Sequence, residues 1–419
     1  MSGAVKAGYK QTEVGVIPDD WEVTSLGNLS QFVTSGSRGW AQYYADHGSL
    51  FVRSQNVRDG RLDFEDCQFV APPKGAEGDR TKLCRRDLLI TITGNSVGNV
   101  ALVQEDLGSA YISQHVGLVR LGEPSSAQYV CRYLAPGSPG NKQIRASQSG
   151  QSKPGLTLTN LRDFLVTVPS EPEQRAIATA LSDVDALLTA LDQLIAKKRN
   201  LKQATMQQLL TGQTRLPGFS GGWEVRRLGD VATFRTGPFG SALHKSDYTF
   251  DGIPIINPMH IIDGQILASR NMTITEAAAV KLNEFRVKVG EIVIGRRGDM
   301  GRCAIVTPAQ DGWLCGTGSM IVRPTSGVDA GFLQRVLSSP PIISAIVDTS
   351  VGTTMVNLNQ GTLSRLTLQF PPVPEQQAIS TLLSDLDAEL AALEQRRHKT
   401  RALKQGMMQE LLTGRTRLL

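Results

Sequence analysis

Apolar residues recur along this chain at two different periods. Over Ile177, Leu181, Val184, Leu188, Leu191 and Ile195 the spacing alternates between four and three. That pattern lays one stripe along a helix and is the a/d seam of a coiled coil. Ile379, Leu383, Leu386, Leu390 and Leu393 repeat it. Both seams break at a basic cluster, Lys197-Lys198-Arg199 and Arg396-Arg397-His398-Lys399, and apolar spacing resumes in a shifted register at Leu201 and Leu403. Pro172 and Pro374 stand where a first helical turn tolerates proline. Gly212 and Gly414 are the residue type favoured just past a helix end. The signals predict two helices of about 38 residues, each roughly 57 Å long. Between them, short β-branched runs predict strands at 87–92, 116–121, 291–294 and 320–323. Asp59-Gly60 and Asp263-Gly264 predict tight hairpins.

The two helical stretches are copies. Residues 169–216 return at 371–418, shifted by 202 without a gap, with about 30 of 48 positions identical. The repeat reaches beyond the helices, because Trp21, Glu22, Val23, Leu26, Gly27 and Phe32 match Trp223, Glu224, Val225, Leu228, Gly229 and Phe234 at the same spacing. A repeat this long means two copies of one structural unit. The segments between the copies are far less alike, so one scaffold carries two different heads of about 150 residues, an ordinary domain size. Thr416-Arg417-Leu418 can lead back toward the N-terminal segment, which makes the chain a two-unit ring cut once, with pseudo-twofold symmetry. The fold class expected is α+β: two pseudo-twofold-related mixed α/β heads joined by two long helices. The first half of each helix is acidic (Asp183, Asp185, Asp192; Asp385, Asp387, Glu389, Glu394) and the second half basic. Antiparallel pairing within the chain sets acid beside base, whereas parallel pairing sets like charges together.

Composition narrows the function. The net charge is +5, which permits a polyanionic partner without requiring one. No apolar run is long enough to span a membrane, and the N-terminus lacks the apolar core of a secretory signal. Five scattered cysteines with no CxxC pair read as reduced, buried thiols, and the location expected is the cytoplasm. There is no phosphate-binding GxxxxGK[ST] loop and no HExxH helix, and the five histidines have no ligand spacing. Gly295 to Gly301 lacks the GxGxxG spacing and reads as a strand-end turn. Asn257-Pro258-Met259-His260 lacks the second proline and the aromatic residue of the amino-methyltransferase motif. No catalytic residue and no metal ligand is expected.

Basic and aromatic residues cluster in the predicted loops of both heads. In the first they are Arg38, Trp40, Tyr43, Tyr44, Arg53, Arg58, Arg80 and Lys82, with Lys74, Arg85 and Arg86 nearby. In the second they are Phe239, His244, Lys245, His260, Arg286, Lys288, Arg296, Arg297 and Arg302, with Lys281 nearby. Arginine can bridge guanine, and lysine mostly holds phosphate. These are the candidate DNA contacts, and the case for them is their grouping at comparable positions in both heads.

The Pro-Glu-Gln core at 172–174 and 374–376, the LSDxDA turn, the LKQxxMQxLLTGxTRL ending and the opening Tyr9 to Trp21 together resemble the specificity subunit of type I restriction–modification systems. The resemblance covers essentially the whole chain. It implies two target-recognition domains, each reading one half of a bipartite asymmetric site on double-stranded DNA. The two long helices would form an antiparallel coiled coil that sets the spacing. Two methyltransferase subunits and two ATP-dependent motor-nuclease subunits would dock on the scaffold, with S-adenosylmethionine, ATP and magnesium bound by those partners and no cofactor by this chain. In those terms the expected organisation is a leading segment at 1–20, the first recognition domain at 21–170, the central helix at 171–213, a linker at 214–222, the second recognition domain at 223–372 and the C-terminal helix at 373–419.

Overall fold

Each head is built on a four-stranded antiparallel sheet buried on both faces. The first head uses β1 (Ser30–Ser35), β2 (Leu88–Thr91), β3 (Val100–Leu102) and β4 (Val116–Leu121), in the order β3-β2-β4-β1. The second uses β5 (Ala232–Thr236), β6 (Ile292–Gly295), β7 (Cys303–Ile305) and β8 (Ser319–Pro324), in the matching order β7-β6-β8-β5. Burial of both faces explains the unbroken apolar runs in β2 and β6. Leu88 and Ile90 point into one core while Leu89 points into the other, and Ile292 and Ile294 alternate with Val293 in the same way. The computed structural model describes residues 5–58, 60–72, 75–148, 155–239, 242–298, 301–348 and 358–418.

The hairpins form as expected. Val57–Arg58 pairs with Arg61–Leu62, although Asp59 itself lies outside the described residues. Ile261–Ile262 pairs with Gln265–Ile266. In that second turn Asp263 and Gly264 have φ of 50° and 75°, the two left-handed positions of a type I′ turn. One alignment is corrected. β1 carries an irregularity between its pairings with Arg120 and Leu121, so Gln31 is left out of the ladder and Phe32 faces Arg120. β5 has none, and Phe234 faces Val322. Phe234 therefore occupies the ladder place of Val33, and Phe32 joins the opposite core. A one-residue bulge turns side chains to the other face of a sheet.

The chain divides into two compact units, residues 1–193 with 395–419 and residues 194–394, so the division falls inside each long helix. The helices run Glu171–Leu210 and Val373–Leu411. In the first unit Asp185 pairs with Lys404 at 2.6 Å and Asp192 with Arg397 at 3.0 Å. In the second Lys198 pairs with Glu389 at 2.8 Å, Arg199 with Glu394 at 2.5 Å, and Lys202 with Asp387. From Asp185 to Asp192 the partner moves back from Lys404 to Arg397, and from Lys198 to Lys202 it moves back from Glu389 to Asp387, so the helix segments within each unit are antiparallel. Exposed pairs contribute at most about 1 kcal/mol each, whereas fully burying a leucine contributes about 1.5–3 kcal/mol. The charges fix direction and the seam supplies the stability. Ile177, Leu181, Leu191, Ile195, Ile379, Leu383 and Leu390 are buried, and Val184, Leu188, Leu386 and Leu393 are half-buried. The seam does not resume at Leu201 and Leu403, which are 50% and 59% exposed. Leu209 and the pair Leu411 and Leu412 do that work instead.

The repeated motifs hold each head to the helices. Arg132 of the short helix Ala127–Leu134 reaches Asp185, and Arg335 of Ala330–Leu337 reaches Asp387. Gln174 Nε2 donates to the Pro169 carbonyl at 2.9 Å, and Gln376 Nε2 to that of Pro371 at 2.8 Å. Glu173 and Glu375 are buried and each accepts two hydrogen bonds from an arginine of a TRL ending. Arg417 donates to Glu173 at 2.7 and 2.8 Å, and Arg215 to Glu375 at 2.5 Å twice. The arginines also lie over Trp21 and Trp223 at 5.7 and 5.8 Å. Glu173 and Asp20 together hold the Arg417 guanidinium pKa above its ordinary value.

The first unit is thus closed by its own chain end. Tyr9 of the hairpin Tyr9–Thr12/Gly15–Pro18 donates its hydroxyl to the Gly414 carbonyl at 3.0 Å. A Cβ on Gly414, at φ 69°, would collide with Pro18 at 2.4 Å, so glycine is required there on two counts. Cys131, Cys303 and Cys315 are buried as expected, but Cys67 and Cys84 are exposed. Burial pushes the Cys131 and Cys303 thiols up to about 12.

Candidate nucleic-acid interface

The strand pairings bring four turns together at one end of each sheet. In the first head, Thr91 faces Val116 and Ser35 faces Gly117, so the turns after β1 and β2 meet the turn before β4. The Arg53–Asn56 turn joins them, because Ser113 N–H donates to the Val52 carbonyl at 2.9 Å. In the second head, Gly295 faces Ser319 and Thr236 faces Met320, and Gly316 N–H donates to the Ile256 carbonyl at 2.9 Å. The Asn257–His260 turn packs its Pro258 ring beside Gly295 and Gly318.

Buried polar atoms without partners concentrate at this end. They are Arg53 Nε and Thr91 Oγ1 in the first head, and His260 Nε2, Arg296 Nη1 and Ser319 Oγ in the second. Elsewhere among the described residues only Gln174 Oε1 and Trp223 Nε1 share that condition. Native proteins pair nearly all such groups, so these atoms are open to water or to a ligand at the sheet end.

The structure sorts the sequence candidates into different settings. At the sheet end of the first head, Arg38 is exposed, and Arg80 donates to Thr34, to the Ser35 carbonyl and to Ser37. Arg53 pairs with Asp66 at 2.9 Å, and Arg58 lies 3.9 Å from Asp63. Trp40 is 3% exposed and stacks on Phe51 with centroids 5.5 Å apart, so it belongs to a core and offers no face to a base. Tyr43 meets the Trp40 ring edge-on, while Tyr44 is exposed beside Phe51. Lys82 is exposed, and its carbonyl accepts from Arg120, whose guanidinium grips Asp87 at the opposite end of the sheet.

In the second head, Phe239 and Arg296 come together, with the guanidinium 4.6 Å from the ring centroid. Arg297 and Arg302 are exposed on the same turn. His260 is buried; its Nδ1 accepts from the Asn257 backbone N–H at 3.1 Å, and burial lowers its pKa. It is therefore a neutral cap and not a surface cation. Arg286 and Lys288 line a cleft of about 640 Å³ with Arg235, Arg323, Glu284 and Glu291, beyond the other end of the sheet. There Arg235 pairs with Glu284, Arg286 with Glu276 and Arg323 with Glu291, so acids already answer most of its charge. His244 is exposed, and Lys74 and the Lys245 side chain lie outside what is described. The sequence reading missed Thr93, Gln114 and His115, which form a hydrogen-bonded chain at the first sheet end. Isolated polar residues carry no periodic signal, so only the fold could find them. Among the described residues, no group of three or more His, Cys, Asp or Glu could hold a metal ion.

The profile of the type I restriction modification DNA specificity domain matches residues 65–202 and 220–401. The chain belongs to that family. Its two matches fall on the two halves of the internal repeat. Similar proteins include the putative type I restriction enzyme MjaX specificity subunit of Methanocaldococcus jannaschii, 22% identical over 98% of this chain and 97% of that one. The fold is similar to the type I S subunit of M. genitalium, with a TM-score of 0.58, 15% identity and 93% and 96% of the two chains covered. It is also similar to the specificity subunit of Thermoanaerobacter tengcongensis, with a TM-score of 0.50, 20% identity and 96% and 98% coverage. As a type I specificity subunit the chain recognises DNA sequence and is not a catalytic subunit. No single helix among the described residues is long and apolar enough to cross a membrane.

Proposed function

We propose that each head reads one half of a two-part, asymmetric site on double-stranded DNA through the turns at the end of its four-stranded sheet. The observation that supports this most is the clustering of unpaired buried donors and acceptors at that one end in both heads. Nucleic acid offers phosphate oxygens and base edges to groups of this kind. The heads differ in chemistry there, so the half-sites should differ and the whole site should not be a palindrome. The long helices act as a ruler between the half-sites. Lengthening both near Lys197 and His398 should widen the non-specific spacer and leave each half-site unchanged. The helical scaffold docks two methyltransferase subunits, and two motor-nuclease subunits for restriction. S-adenosylmethionine, ATP and magnesium then belong to those partners, and the assembly works on DNA in the cytoplasm.

The experiment is a methylation map, by single-molecule sequencing, of DNA from cells co-expressing this chain with its methyltransferase. A two-part, non-palindromic motif that disappears when this chain is omitted supports the reading. Absence of any motif, with the complex shown to assemble, contradicts it.

A further inference from the structure

The two heads serve as controls for each other at each position of the sheet end, and one node differs in kind. In the first head Ile92 N–H donates to the His115 carbonyl, and the Ile92 carbonyl accepts from Leu156 N–H. In the second head Arg296 N–H donates to the Gly318 carbonyl, and the Arg296 carbonyl accepts from Leu358 N–H. Ile92 and Arg296 therefore occupy one place in one architecture. Ile92 is a core residue, 7% exposed, and needs nothing further. Arg296 is 5% exposed and carries a charge into the same place.

That charge is poorly answered. Nε makes one long bond of 3.3 Å to the Leu358 carbonyl, and Nη1 has no partner. Among the described residues no ion pair joins it to an acid, and the charged neighbour that acts on it most is Arg297, which repels it. The flat face of the guanidinium rests 4.6 Å from Phe239, which is itself 51% exposed. Val116 of the first head is likewise replaced by Ser319, whose hydroxyl is buried and unpaired. An aliphatic pair thus suffices for this fold, and the second head keeps two polar groups that cost it stability. A half-open aromatic cover over a positively charged fork, with no carboxylate against it among the described residues, is suited to an acceptor that arrives from outside.

We propose that Arg296, held beneath Phe239, is a DNA-binding residue through which the second head donates to an acceptor of its half-site, and that the first head has no counterpart. This rests on the reading of the heads as half-site readers. The acceptor is an oxygen or nitrogen of the DNA, on a phosphate or on a guanine edge. Phe239 swings aside or stacks on the nucleotide when Arg296 engages.

The test uses the full chain assembled with its methyltransferase, carrying Arg296→Ile, Arg296→Lys or Phe239→Ala. Methylation is mapped, and binding is measured on duplexes in which one half-site at a time is scrambled. For Arg296→Ile, which installs the first head's own residue, the melting temperature should hold or rise. Affinity for the wild-type site should fall at least tenfold. The motif should relax or vanish in the second half-site alone. A structural role would instead lower the melting temperature and leave the motif intact. If Arg296→Ile does not assemble, Arg296→Lys decides: rescue with a uniform loss of affinity marks a phosphate contact, and loss of one base preference marks a guanine contact. An unchanged motif and affinity in both Arg296 variants overturns the proposal. A wild-type complex with no bipartite motif overturns the underlying reading instead, so the two failures are distinct.

Discussion

In the first head Arg132 grips Asp185 of the long helix, and in the second Arg335 grips Asp387. The same residue types thus recur 203 and 202 positions later, and the gripped aspartates take a second cation from the other helix, Lys404 and Lys202. The hairpins near the sheet ends behave differently. Gln55, Arg58 and Asp63 form a polar network in the first head. The equivalent residues of the second are Met259, Ile262 and Leu267, exposed by 63%, 46% and 48%. The equivalence is structural, because Asp63 N–H donates to Asn56 and Leu267 N–H to His260 at 2.8 and 2.9 Å. The two copies are alike in what touches the helices and unlike in what these hairpins present. That division is what a common scaffold with two separate readers requires.

The largest expected effect breaks the shared side of the comparison. Arg417→Ala leaves the carboxylate of Glu173 buried with only the Trp21 indole N–H, at 3.1 Å, still donating to it. Removing one partner of a buried pair costs about 3–5 kcal/mol. Arg215→Ala should cost the second unit a similar amount. Denaturant unfolding should show each loss, and deletion of residues 415–419 should reproduce the first but not the second. A change under about 1 kcal/mol in both would mean that these arginines do not hold the units closed.

A smaller effect concerns pH at the turn where Asn56 and His260 are equivalent. Burial lowers the His260 pKa, so the folded state favours neutral imidazole more than the unfolded chain does. The stability from that preference is present above the ordinary histidine value of 6.5 and is lost as pH falls below it. The melting temperature of the wild type should drop between pH 7.5 and 5.5 by more than that of His260→Asn. Equal drops would show that His260 does not report on this core.

The smallest effect is expected from transplanting the first head's hairpin chemistry. The triple change Met259→Gln, Ile262→Arg and Leu267→Asp touches exposed positions and should alter stability by no more than about 0.5 kcal/mol per site. A much larger loss in calorimetry would mean that these side chains are packed and the contrast between the heads is not a surface one.

Much of this was legible in the sequence where a pattern repeats. The long helices announce themselves through a four-three apolar period, and the two-sided burial of β2 and β6 through runs that do not alternate apolar with charged residues. The duplicated Pro-Glu-Gln and Thr-Arg-Leu motifs mark themselves as important, but not as partners. Glu173 and Arg417 lie 244 positions apart, and only folding brings them together. Trp40 stood among the candidate DNA contacts because burial of a single aromatic residue has no local signal. The Ile92–Arg296 equivalence was hidden by changes in loop length. The sequence offset is 202 at the helices and 204 at β2 and β6, with a bulge in β1 adding a further slip. Once the ladders restore the register, the node is plain.

The most direct test of separable heads on one scaffold is a chimera in which residues 223–370 replace residues 21–168, a swap of equal length that leaves both helices and the closing arginines in place. The complex with methyltransferase should methylate a site made of two copies of the second half-site across an unchanged spacer. An unaltered asymmetric motif, or none despite assembly, would contradict the account.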